Sequence, residues 1–181
     1  TESLAMSLPL ISLQYHEVGV RIKTNFRPKC LRVEYIFLDS PERRLFATNL
    51  HDYQFTSVRP CVVGPEGDVS FNHPTRYIFF HLKDMVDDAV VLLVNSHPRF
   101  HCDKFQVSHD NYARSGMRPV PGFGVLSFCV NGSSTTQPSG SFSFSRVHTA
   151  KLIGIAEGAV VYYDHWNTLR VQGGMAGTQF A

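Results

Sequence analysis

The sequence predicts an all-β chain folded as an antiparallel sandwich or barrel, and three observations carry that expectation. Short apolar segments recur between Gly, Pro, Asn and Ser clusters, with 13 Gly and 10 Pro in 181 residues. Aromatic residues reach 12%, led by 14 Phe and 7 Tyr, side chains that suit a pleated, half-buried surface. No strand–helix–strand alternation is visible, which argues against a parallel doubly wound sheet. Hydrophobic residues at 43% against 18% charged are enough to bury a core.

Along the chain, Leu8 to Lys23 opens on a turn-forming Pro9 and settles into alternation. Val18, Val20 and Ile22 lie on one side, and Gly19, Arg21 and Lys23 on the other, the period of a half-buried strand. Leu31 to Phe37 alternates again after Asn25-Phe26-Arg27-Pro28. In Asp39-Ser40-Pro41-Glu42, Ser40 is expected to cap a short helix ending near His51. Pro41 would take the first helical position and Glu42 would face the positive helix end. Val58 to Gly67, rich in Pro and Gly, is expected to be a loop. Val69 to Leu82 holds a strand in which Pro74 must sit at an end, a bulge or an edge, because proline cannot donate to a ladder. Ala89 to Val94 reads as a buried strand, and His97 to Pro121 as a long, irregular, exposed excursion. Strands then return at Val125 to Val130, Phe142 to Val147, Lys151 to Ala156, Val160 to Tyr163 and Thr168 to Gln172. Gly173-Gly174-Met175-Ala176-Gly177 reads as a flexible chain end.

The formal charge of +2 is too weak to argue for nucleic acid, and no direct contact with one is expected. No apolar stretch is long enough for a transmembrane helix. Cys30, Cys61, Cys102 and Cys129 are scattered without a C-x-x-C pair, so they are expected to be reduced thiols.

His97, His101 and Cys102 offer two imidazoles and a thiol within six positions, but Pro98 argues against the helix that would align the histidines, so no metal is expected. Ser139-Gly140-Ser141 is not a nucleophile elbow and reads as a turn, with Gly140 at a position that needs positive φ. Asp87-Asp88 reads as a solvated turn, since neighbours on a strand face opposite sides. Trp166 with Tyr162 and Tyr163 would suit a sugar platform if exposed, but core or interface is the more frequent use of such a cluster. Asn131-Gly132-Ser133 matches the N-glycosylation acceptor and makes Asn131 the single modification candidate. No catalytic residue and no cofactor site is assigned.

Five segments together resemble the major capsid proteins of nucleocytoplasmic large DNA viruses. They are Leu8-Pro9-Leu10-Ile11-Ser12-Leu13-Gln14-Tyr15-His16-Glu17-Val18; Leu38-Asp39-Ser40-Pro41-Glu42-Arg43-Arg44-Leu45-Phe46-Ala47 with His51-Asp52-Tyr53; Phe71-Asn72-His73-Pro74; Gln137-Pro138-Ser139-Gly140-Ser141-Phe142-Ser143-Phe144-Ser145-Arg146; and Asn167 to Gly177. Each is modest alone, but their order runs across nearly the whole chain. The segment after Val94 diverges from the family pattern.

The resemblance implies an antiparallel jelly-roll β-sandwich, the second roll of a double jelly-roll. Residues 1-50 would be terminal strands and a short helix of the first roll, and residues 51-181 the second roll. It implies a structural protein without enzymatic activity. Homotrimers of pseudo-hexagonal outline would contact neighbouring capsomers and minor capsid proteins in an icosahedral virion shell assembled in the host cytoplasm. The chain starts at Thr1 without an initiating Met, and it is expected to be the C-terminal part of a longer protein. A β-sandwich carbohydrate-binding module and a cupin-like jelly-roll metalloenzyme are the competing readings.

Overall fold

The computed structural model describes residues 7–132 and 137–179. They fall into two compact units, one made of the described residues up to Tyr53 together with Thr168–Gln179, the other of Gln54–Asn167.

The larger unit is the β-sandwich. Its strands are β1 (His51–Val62), β2 (Pro74–His81), β3 (Ala89–Val94), β4 (His97–Asp103), β5 (Phe123–Ser127), β6 (Phe142–Ser143), β7 (Ala150–Ile153) and β8 (Val160–Gln172). One sheet has the order β1-β8-β2-β5, with β6 also beside β2, and the other has the order β4-β3-β7. The pairings of β2 with β5, β6 and β8, and of β3 with β4 and β7, are antiparallel. The chain passes from the first sheet (β2) to the second (β3, β4), back (β5), across again (β7) and back (β8), the crossing pattern of a jelly roll. Ile78, Phe80, Leu126, Val161 and Tyr163 of the first sheet meet Val90, Leu92, Val94 and Leu152 of the second in one core. β3 shows why: Val90, Leu92 and Val94 are buried while Ala89, Val91 and Leu93 are only partly so, the two-residue period of a strand with one face inward.

The segment from His97 to Pro121 is exposed over much of its length, as expected, but it is not irregular. Its first part is β4, and Pro98 is tolerated there because β4 is an edge strand whose register shifts at Leu92/Leu93. A π-helical turn (Gln106–Asp110) and the short α2 (Asn111–Arg114) follow. They carry Tyr112 into a second apolar cluster with Tyr77, Val125 and Cys129. Asn111 Nδ2 donates to Val125 O at 2.8 Å, which satisfies its amide in the interior. The loop expected at Val58 to Gly67 is strand as far as Val62. Here too the edge position explains a tolerated proline, Pro60. Val160 to Tyr163 and Thr168 to Gln172 are not two strands but one, β8, with Tyr163 to Asn167 buried without interruption. Only Phe142 and Ser143 pair as a strand before a 3₁₀ turn buries Phe144 against Phe71, ring centroids 5.0 Å apart. Pro74 opens β2, as expected. Gly140 has φ +136, and a Cβ there would lie 2.8 Å from Phe128 O.

In the smaller unit, α1 (Ser40–Thr48) is capped one residue earlier than expected. Asp39 accepts from the Glu42 N–H while the Glu42 carboxylate accepts from the Asp39 N–H, both at 3.1 Å, a reciprocal capping box. Gly173-Gly174 is not a loose chain end. Both residues have positive φ, 61 and 83, and turn β8 into β9 (Met175–Thr178), with Gln172 opposite Met175. The Tyr15 N–H donates to Gly174 O at 2.9 Å, and the Ala176 N–H to His16 Nδ1 at 3.0 Å.

Residues 17–37 form no strand, and the two expected there are not realised. The alternation is present, but alternation only encodes which side of a strand is to be covered; without a neighbouring strand there is no ladder. Val20 stays 66% exposed and Phe37 93%.

Candidate interaction surfaces and the buried polar pairs

The residues singled out for chemistry do not converge. His97 and His101 are exposed on β4, whereas Cys102 is turned into the core with its thiol near the Asn111 amide. Alternation on a strand separates His101 from Cys102 as it would on any strand. No cluster of three or more His, Cys, Asp or Glu with metal-holding geometry occurs among the described residues. Asp87 and Asp88 lie in an exposed bend. The Asn131 N–H donates to Ser139 Oγ at 2.9 Å and Ser139 Oγ donates to Asn131 O at 2.7 Å. That reciprocal pair ties the exposed Asn131 to the turn before β6. Ser133, which completes the acceptor triplet, lies outside the described residues. All four cysteines are unpaired by disulfides, with Cys30 exposed and Cys129 buried.

Trp166 is 5% exposed and carries the guanidinium of Arg76 over its ring at 4.7 Å, so it offers no face to a sugar. Arg76 (β2) in turn donates from Nε to Asp164 Oδ2 at 3.0 Å and from Nη2 to the same oxygen. Both side chains are under a tenth exposed. Burial pushes the Asp164 carboxyl above its usual range and outweighs the Arg76 charge that pulls it down. This is the signature of an ion pair whose desolvation is large beside its attraction.

A second buried pair lies beside the first, with His165 following Asp164 on β8 and His73 immediately ahead of β2. The rings of His73 and His165 stack with centroids 4.4 Å apart and planes inclined by 21°. His165 Nδ1 bonds Ser57 O of β1 at 2.7 Å, and Arg59 Nη1 lies 3.2 Å from His73 Nε2. Burial, then the neighbouring His73 and Arg59 charges, bring the His165 imidazole down to about 4. Burial and Arg59 lower His73 as well. The sequence singled out neither pair. The partners of the ion pair are 88 residues apart. The only hints were His73 within Phe71-Asn72-His73-Pro74 and two ionisable residues inside an otherwise apolar run at 160–166.

Among the described residues, two apolar surfaces remain open. In the larger unit, Phe79, Tyr112, Val120, Phe123 and Tyr162 line a shallow apolar depression of about 240 Å³. In the smaller unit, residues 17–37 expose Val18, Val20, Ile22, Phe26, Leu31, Val33, Tyr35, Ile36 and Phe37, far more than scattered surface apolar residues account for. Surfaces of this kind are built to be covered. No helix among the described residues is long and apolar enough to cross a membrane.

No protein-family model matches the chain. The major capsid protein of Pyramimonas orientalis virus is 26% identical over 230 residues, covering 97% of this chain and 58% of that protein. Capsid protein 1 of Acanthamoeba polyphaga mimivirus is 31% identical over 105 residues, 43% of this chain and 18% of that protein. The major capsid protein of Paramecium bursaria Chlorella virus 1 is 31% identical over 102 residues, 40% and 23% of the two chains. Among solved structures, a quasi-atomic model of the PBCV-1 virus capsid superposes with a TM-score of 0.64 at 19% identity. It covers 81% of this chain and 55% of that one, a likeness of fold. The chain therefore spans little more than half the length of the Pyramimonas virus protein and of the solved capsid chain, and about a fifth of the other two relatives.

Proposed function

Since this chain is a relative of the major capsid proteins of large DNA viruses, we propose that it forms part of the wall of an icosahedral virion shell, as one portion of a longer polypeptide that assembles into homotrimeric, pseudo-hexagonal capsomers. The observation that carries the reading is the match to the Pyramimonas virus protein along 97% of the chain. The jelly-roll sandwich of residues 54–167 is in keeping with it. A stiff two-sheet wall with a continuous core suits a load-bearing role, and a shell needs broad lateral contacts rather than a catalytic cleft.

In this reading residues 1-50 supply terminal strands and a helix to a first roll, and residues 51-181 make the second. The exposed alternation of Val18, Val20 and Ile22 supports it, because these side chains have the pattern of strands and lack a sheet among the described residues. Partners are further copies, neighbouring capsomers and minor capsid proteins, and assembly takes place in the host cytoplasm. The chain acts without catalysis or cofactor. Asn131, exposed beside the turn into β6, is the position that would carry a glycan, and Asn131→Gln would then remove the added mass. Light scattering on the intact polypeptide at micromolar concentration tests the reading. A trimer mass is expected, and a strict monomer would overturn it.

A further inference from the structure

Neutral imidazoles are written into the hydrogen bonds of the His73–His165 stack. A guanidinium has only N–H donors, so His73 Nε2, 3.2 Å from Arg59 Nη1, takes part there as an acceptor and must be without a proton. His165 Nδ1 faces the carbonyl of Ser57 at 2.7 Å and so holds the proton of the neutral ring. Its Nε2 is buried and has no hydrogen-bond partner among the described residues, and the residue is fully enclosed. A proton arriving at either ring therefore does harm. On His73 it turns an accepted bond into a donor facing a donor, beside a cation. On His165 it creates a buried N–H without an acceptor, stacked 4.4 Å from a second imidazole.

Among the described residues, the groups around His165 give such a charge no counterion. From β1 Arg59 faces the stack, and from β8 Tyr163, whose ring lies 5.4 Å from that of His165; Cys61 of β1 acts on Tyr163. Ahead of β2, Phe71 packs on Tyr163. Asp164, next along β8, is engaged by Arg76. None of the charged groups acting on His165 is a carboxylate.

What the stack holds is also specific. β1 is the edge strand of its sheet and its neighbour is β8. The His165–Ser57 bond and the Arg59–His73 contact are side-chain ties that fasten this edge inward. We propose that the stacked His73–His165 pair is an acid-sensitive latch: neutral, it holds the β1 edge to β8 and to the start of β2, and protonated, it releases that edge.

The pH window follows from linkage. The unfolded chain takes up a proton at each imidazole near pH 6.5, whereas folded His165 does so only near 4. Between those values the unfolded or opened state binds more protons, so stability is complete above about pH 6.5 and declines as pH falls toward 4. From His165 alone, the equilibrium for keeping the latch closed should be about 30-fold less favourable at pH 5 than at pH 8. His73 adds to this in the same direction.

The test uses the full polypeptide, with histidine side chains followed by NMR and backbone opening by hydrogen exchange. We expect His165 to remain neutral at pH 5.5 with its proton on Nδ1. Exchange at residues 57–61 should quicken at least tenfold between pH 7.5 and pH 5, after correction for intrinsic rates, while β3 stays protected. His165→Asn, which retains a donor for Ser57 O but cannot be protonated in this range, should flatten that pH dependence. A His165 that titrates near 6.5 in the folded protein, or exchange at 57–61 whose pH dependence is unchanged in His165→Asn, overturns the proposal. Should the variant fail to fold, the titration of the wild-type protein decides the matter alone.

Discussion

Removing one member of the Arg76–Asp164 pair should be among the most damaging single changes in the larger unit. Both side chains are under a tenth exposed, and the Arg76 guanidinium lies over the rings of Trp166 at 4.7 Å and Tyr77 at 5.3 Å. Asp164→Leu leaves a guanidinium in that enclosure without its acceptor, and Arg76→Met leaves a carboxylate without its donors. Breaking a buried pair in this way costs about 3–5 kcal/mol. For a chain of this size that corresponds to a fall in Tm of roughly 6–20 °C. Because burial already raises the Asp164 carboxyl despite its partner, the pair as a whole adds little net stability. The double variant Arg76→Met/Asp164→Leu should therefore lie within about 1.5 kcal/mol of the wild type, far from the sum of the single losses. Urea unfolding of the four proteins measures the cycle, and repeating it at higher salt should leave the coupling nearly unchanged, since buried charges are poorly screened. Single variants each costing under 1 kcal/mol, or a coupling that vanishes with salt, would show that the pair is hydrated and refute the argument.

Gly154 has φ +90, and a Cβ would stand 2.2 Å from Ala89 O; Gly154→Ala should then cost at least the 1–3 kcal/mol of ordinary backbone strain, seen as a lower urea midpoint. Asp39→Ala should lose the capping box and about 1 kcal/mol of α1 stability, read as faster exchange of the Glu42 amide, with β3 unaffected. Ile22→Asp, on the exposed segment, should cost the full polypeptide more than the ~0.5 kcal/mol typical of surface changes, read as a lower urea midpoint, because further strands cover the segment there. An unchanged midpoint would argue that the segment stays uncovered.

Much of the sandwich was legible because its signals are local. β3 announces itself by six apolar residues, and Pro74 by its inability to donate to a ladder. The misreadings share one cause, which is that edges exist only after assembly. Pro60 and Pro98 look like strand breakers until β1 and β4 are seen to be edge strands. Asp164 and His165 look like an interruption until β2 supplies Arg76 and the segment before it supplies His73. The order within His97 to Pro121 turns on Asn111 and Tyr112, a polar and an amphipathic residue whose burial depends on Val125 O and on the neighbours of Tyr77. Conversely, the alternation at 18–22 was plainly visible but has no ladder, since pattern alone cannot provide a partner.

The central claim, that this chain is shell wall, meets its most direct test in electron cryomicroscopy of virions containing the full polypeptide. The account predicts a lattice of trimeric capsomers in which density for a two-sheet sandwich fits residues 54–167 and residues 17–37 lie paired against further strands. Capsomers whose density excludes this sandwich, or virions whose shell lacks the polypeptide, would contradict it.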